Sequence, residues 1–261
     1  MKAIAGCCAL LTATALLSQP QPATDLPKPL ENTLGMKLVK VPGVSVRFSI
    51  WETRVRDYRT FADETSRDCP RPDFAQTPDD PIVNVSWEDA VAFCQWLTAR
   101  ERKAGRLTDR QRYRLPTDAE WSVAVGLGPE RGRTPEDRWQ ASVVWPWGST
   151  WPPQPGDGNY APELEADKFA NTSPAGSFKP NAHGIYDLGG NVWEWCEDWY
   201  NDARVTKALR GGSFHDRTPK DLLAAYRFSA TVHLSNDDIG FRVVLEDGTQ
   251  AEPTPNSAKQ P

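Results

Sequence analysis

Cysteine is scarce in this chain: there are five in 261 residues, two of them within the first eight positions and none after Cys196. A disulfide-stapled framework is therefore excluded. If Cys7 and Cys8 leave with an N-terminal leader, Cys69, Cys94 and Cys196 remain, an odd set that allows at most one disulfide and contains no pair at metal-ligand spacing. Histidine is scarcer still, with His183, His215 and His233 the full complement. Basic residues do not outnumber acidic ones (30 against 35, net charge -5), so there is no general electrostatic pull toward nucleic acid or anionic membrane. Long apolar runs are also missing. The one charge-free stretch, Ala3 to Leu17 behind Lys2, is too short to span a bilayer comfortably and has the form of a secretory signal peptide, which predicts a periplasmic or secreted protein without a stable transmembrane anchor.

What is abundant is proline (23), glycine (18) and tryptophan (11), a composition that suits a loop-rich α+β domain with an aromatic core and argues against a helical bundle. The expected organisation is a signal peptide over 1–22, a linker over 23–32, a single globular domain over 33–246 and a disordered polar tail over 247–261. Within the domain, Thr33 to Ile50 mixes short apolar runs with Gly35, Pro42 and Gly43, which predicts strands joined by tight turns. Val55, Tyr58 and Phe61 recur at helical spacing behind Thr53, the expected N-cap of a first helix over 51–65. Ser66 to Ile82 is a loop. Ser86-Trp87-Glu88-Asp89 and Thr117-Asp118-Ala119-Glu120 each have the reciprocal capping-box pattern, so each starts a helix and lodges a tryptophan in the core. Gly126 to Gln140 is an aperiodic charged insertion. Ala224 to Val244 closes the fold as two strands joined by a polar loop, with Arg227 and Arg242 candidates for internal ion pairs.

The stretch from Gly184 to Tyr200 organises the rest. Gly189 and Gly190 predict a sharp loop before Asn191, and Trp193, Trp195 and Trp199 then follow strand-like spacing. Glu194 lies between two tryptophans, where a buried carboxylate needs a cationic partner, hydrogen bonds or a metal. With Asp187 and free carbonyls nearby, the loop has the donor chemistry of a hard cation such as calcium. A second acidic loop carries Asn159, Glu163, Glu165 and Asp167; unaided, it reads as solvated.

This stretch resembles the signature of the formylglycine-generating enzyme family, the sulfatase-modifying-factor domains. Asn-Val-Ser-Trp-Glu-Asp-Ala from Asn84, Arg-Leu-Pro-Thr-Asp-Ala-Glu-Trp from Arg114, Arg-Gly-Gly-Ser-Phe from Arg210 and Ile-Gly-Phe-Arg from Ile239 extend the resemblance in order along the chain. It implies a variant of the C-type lectin fold with little regular secondary structure. It also implies two structural calcium sites, one from Asn159, the carbonyl of Tyr160, Asp167 and the carbonyl of Phe169, the other from Asp187, Gly190, Val192 and Glu194.

The family's activity depends on two copper-binding cysteines after the Gly-Gly-Ser-aromatic motif, and soft thiolates are what Cu(I) selects. Here Asp216 aligns with the first, and no cysteine is left to supply the second, so no copper is expected. The implied role is a binding or scaffolding module for a protein, peptide or glycan, with Phe214, His215 and Arg217 on a ligand surface built from the loops 214–220 and 232–238. The alternative is a metal-dependent oxidoreductase using His215, Asp216 and His233, two imidazoles and a carboxylate.

Overall fold

A computed structural model describes residues 28–139 and 144–248; the signal peptide, residues 23–27 of the linker and most of the tail expected from the sequence lie outside them. Five short strands, β1 (Leu30–Glu31), β2 (Lys37–Lys40), β3 (Val46–Ser49), β4 (Arg112–Arg114) and β9 (Val244–Glu246), form one antiparallel sheet in the order β1-β2-β3-β9-β4. The second sheet has the order β7-β6-β5-β8, from β5 (Trp193–Trp199), β6 (Thr206–Arg210), β7 (Phe228–Thr231) and β8 (Ile239–Gly240). The alternation of tryptophans in the central stretch is thus a strand. It is flanked by β6 antiparallel and β8 parallel, so that Glu194 stands opposite both Arg210 and Gly240.

The segment expected as two closing strands is three. Only a few residues separate β8 from β9, and the chain passes there from one sheet to the other. Phe241, Arg242 and Val243 make this crossing wholly buried. A charged residue at such a crossing is tenable only with partners, and Arg242 has them.

Helix α1 covers Val55–Thr65, α2 Trp87–Lys103, α3 Asp118–Val125 and α4 Pro135–Arg138. Both predicted capping boxes are present: Ser86 Oγ accepts from the Asp89 amide and Thr117 Oγ1 from the Glu120 amide, each at 3.1 Å, while each acid accepts from its cap residue's amide in return. Two local expectations fail. The N-cap of α1 is Arg54, not Thr53, because the Thr53 amide donates to the Phe241 carbonyl and its own carbonyl accepts from Ile82, which holds that residue in extended pairing. The insertion after Gly126 is not wholly aperiodic, since Thr134 caps a single helical turn with Pro135 at its first position.

The apolar faces of α1 and α2 pack onto Trp195, Leu209 and Phe241, and Trp121 of α3 is buried in a second cluster with Phe48 and Cys196. Cys94 and Cys196 are small buried hydrophobes, Cys69 is half-buried, and all three are free. A third cluster joins Trp145, Tyr160 and Leu222 beneath the long central loops.

Candidate functional site

The loop before β5 is forced into its shape by backbone chemistry. Asp187, Gly190 and Asn191 all have positive φ, a region open to glycine and tolerated by Asp and Asn. Gly190 allows no substitute: a Cβ there would lie 2.2 Å from the Asn159 carbonyl oxygen. That close approach joins the two acidic loops singled out in the sequence. The Asn191 amide donates to the Asn159 carbonyl at 2.8 Å, and the Asn191 side-chain oxygen accepts from Asn159 Nδ2 at 3.1 Å and from the Ser173 amide at 2.9 Å.

Glu194 is fully buried, and both its oxygens have partners. Oε2 accepts from Arg242 Nε at 2.7 Å and from Trp121 Nε1 at 3.0 Å; Oε1 accepts from Arg242 Nη2 at 2.5 Å. Arg242 also donates to the carbonyls of Ser49, Tyr186 and Asp187, which fixes the loop against both sheets.

Asp187 is different. Its Oδ2 accepts from the Gly176 amide at 2.6 Å, while Oδ1 is buried without a donor. Burial pushes its pKa up to about 6, against the pull of the Gly176 amide and Arg242. Asn159 likewise has a buried, unpartnered Oδ1, and Asp167 accepts from the amides of Tyr160 and Phe169 at 3.0 and 2.7 Å. Bare buried oxygens on a loop with turned backbone have the donor chemistry of a hard, oxygen-seeking cation, so the residues present fit such an ion. They do not form a ready-made carboxylate cage: among the described residues no three His, Cys, Asp or Glu side chains converge to hold a metal.

Sequence reasoning passed over Glu52. It lies at the end of the turn after β3 and is fully buried; Oε2 accepts from Asn191 Nδ2 at 2.7 Å, and Oε1 has no donor. Burial raises its pKa well above the usual carboxylate range, Asp187 and Glu194 add to the rise, and Arg242 and Asn191 oppose it. The only signal in the sequence is a glutamate set in the apolar context Ile50-Trp51.

The loops 214–220 and 232–238 do meet. Ser213 Oγ lies 3.3 Å from an Asp238 carboxylate oxygen, and His215 Nε2 lies 3.7 Å from Asp237. Phe214, however, does not lie on the surface: it is buried against Phe74, with ring centroids 5.7 Å apart. His215 is exposed and its ring lies tilted against Phe214, and Arg217 is exposed and pairs with Glu163 at 3.2 Å. The second proposed metal set is not assembled. His233 pairs with Glu88 at 3.0 Å, and Asp216 accepts from the Ser213 amide and hydroxyl, both at 2.8 Å. Burial raises the Asp216 pKa, against those two bonds and with Asp238 and Asp221 adding. Burial raises the pKa of both Cys94 and Cys196, and the two lie on separate elements.

Residues 33–247 match the family described as sulfatase-modifying factor enzyme 1-like domain. A formylglycine-generating enzyme of Streptomyces coelicolor is 32% identical over 210 residues, 70% of this chain and 59% of that protein. A Mus musculus protein named inactive C-alpha-formylglycine-generating enzyme 2 is 34% identical over 184 residues, 66% of this chain and 51% of that one. This chain therefore spans between half and three-fifths of the length of these relatives. Two solved structures share the fold: PvdO from Pseudomonas aeruginosa (TM-score 0.57, 22% identity, 77% of this chain and 80% of that one) and Treponema denticola variable protein 1 (TM-score 0.60, 18% identity, 82% and 97%). Its mixed α+β, loop-rich architecture and the match over nearly the whole described region make this chain a member of the sulfatase-modifying factor enzyme 1-like domain family.

Proposed function

We propose that the protein is an exported, calcium-stabilised binding or scaffolding module of this family, without formylglycine-generating activity. The observation that carries the reading is Asp216. It occupies the position the resemblance aligns with the first copper-binding cysteine, its carboxylate is committed to Ser213, and no cysteine follows Cys196 in the chain. Oxidation of a substrate thiol at a Cu(I) centre needs soft ligands, and the carboxylate at this position is a hard one. Calcium would be held by Asp187 with the carbonyls of Gly190 and Val192 beside Glu194, and by Asn159 and Asp167 with the carbonyls of Tyr160 and Phe169. Bound there, it would supply positive charge to bare buried oxygens and cross-link loops that little regular structure supports. The ligand surface is the rim formed by His215, Arg217 and the loop 232–238, facing a protein, peptide or glycan.

The experiment is incubation of the purified chain with copper and a cysteine-containing peptide, followed by mass spectrometry. An unmodified cysteine is the expected result. Conversion of the thiol to an aldehyde would defeat the reading.

A further inference from the structure

Two buried carboxyls in the central loops each have one oxygen bonded and one bare: Glu52, anchored to Asn191, and Asp187, anchored to the Gly176 amide. A buried carboxylate oxygen with neither donor nor cation is strongly unfavourable, so a fold that builds two of them beside each other has something to offset them. Protein cations do not. The charges that act on Glu52 are Asp187 and Glu194, which oppose it, and Arg242, which offsets it; Arg242 is already gripping both oxygens of Glu194. With all three carboxyls ionised, one guanidinium would leave two negative charges in excess inside the protein, the charge of one divalent cation; without such an ion, burial favours the protonated form of Glu52.

Glu52 is also tied mechanically to the candidate cation loop. Asn191 lies between Gly190 and Val192, holds Glu52 through Nδ2, and accepts from Asn159 through Oδ1. Glu52 is therefore fixed relative to the same backbone that carries the loop carbonyls, although it is 139 residues away in sequence.

We propose that Glu52 supplies one of the two buried charges neutralised by a calcium ion at the Asp187 loop, and so sets the affinity of that site. It is a charge-supplying, positioning residue, outside the ligand set that the family resemblance implies. The inference rests on the calcium reading above.

The test is calorimetric titration of calcium into the chelator-treated full-length chain, wild type against Glu52→Gln. The amide keeps the size of the side chain and an acceptor for Asn191 while removing the charge. One calcium affinity is expected to fall by about tenfold or more, with the other unchanged. The calcium-free melting temperature is expected to equal or exceed that of wild type, because a bare buried charge is gone; loss of a merely structural contact would lower it. Equal calcium affinities in the two proteins overturn the proposal and leave the calcium reading standing. Absence of calcium binding by the wild type overturns both. If Glu52→Gln does not fold, Glu52→Asp carries the test: with the charge kept, affinity within about threefold of wild type is expected, and a loss of about tenfold overturns the role of the charge.

Discussion

Two buried charge clusters flank Trp121, and they are built on opposite plans. On one side Asp118 is surrounded by arginines: Arg227 Nε and Nη2 donate to it at 2.9 and 3.0 Å, Arg138 Nη1 at 2.8 Å and Arg210 Nη1 at 2.5 Å. Arg210 lies over the Trp121 ring, 4.4 Å from its centroid. On the other side the Trp121 N–H donates to Glu194, and three acids, Glu52, Asp187 and Glu194, share Arg242. The first cluster has both Asp118 oxygens satisfied, although Arg210 Nε is buried without an acceptor, and it works as a keystone between α3, β6 and the segment leading into β7. The second leaves Glu52 Oε1 and Asp187 Oδ1 bare. A buried network whose carboxylates are all paired is explained by the fold alone; bare buried carboxyl oxygens are where an added proton or cation would act.

The contrast is broken most severely at Asp118. Asp118→Asn leaves three guanidiniums facing an amide that cannot neutralise them, and a destabilisation of about 3–5 kcal/mol is expected from the shift in urea unfolding midpoint. The same cluster sets the acid limit. Burial alone would raise the Asp118 pKa, but the charges of Arg210 and Arg227 and the bonds from Arg227 and Arg138 outweigh it and hold the pKa well below the usual carboxylate range. The unfolded chain, with an aspartate pKa of about 3.9, then binds the extra proton, so this contribution is present above that value and is lost as pH falls below it. Unfolding midpoints measured between about pH 6 and pH 2.5 should drop steeply at the acid end in wild type and less steeply in Asp118→Asn.

At the acid-rich cluster the expected response is to an ion. Calcium at about a hundred times its dissociation constant should raise wild-type stability by about 2.7 kcal/mol per site, and Asp187→Ala should remove the increment from one site. A calcium-independent melting temperature in the wild type would erase the difference between the clusters. The smallest effect belongs to a purely local feature: Ser86→Ala removes the cap of α2 and should cost about 1 kcal/mol, with no change in calcium response.

That ordering matches what the sequence disclosed. Features decided within a few residues were legible: the capping boxes at Ser86 and Thr117, the alternation of β5, and the placement of Cys94 on the buried side of its helix. Arg227 and Arg242 were recognisable as ion-pair candidates because charged residues in a closing apolar segment need partners. Their partners were not legible. Arg227 reaches Asp118 across 109 residues and Arg242 reaches Glu194 across 48, and no local periodicity encodes either pairing.

Glu52 was missed for the same reason, and Phe214 was misplaced on the surface because its cover, Phe74, comes from a distant loop. The positions proposed to hold calcium came from the resemblance alone. What the fold adds is that Asn159 and Asp187 carry bare buried oxygens, while Glu194 is already held by Arg242.

The most direct measurement is elemental analysis of the purified protein after separate exposure to calcium and to copper, each followed by desalting. Calcium retained in stoichiometric amount, with no copper held, is the expected result. Copper retained without calcium would contradict it, and would return the search to an oxidative centre in this chain.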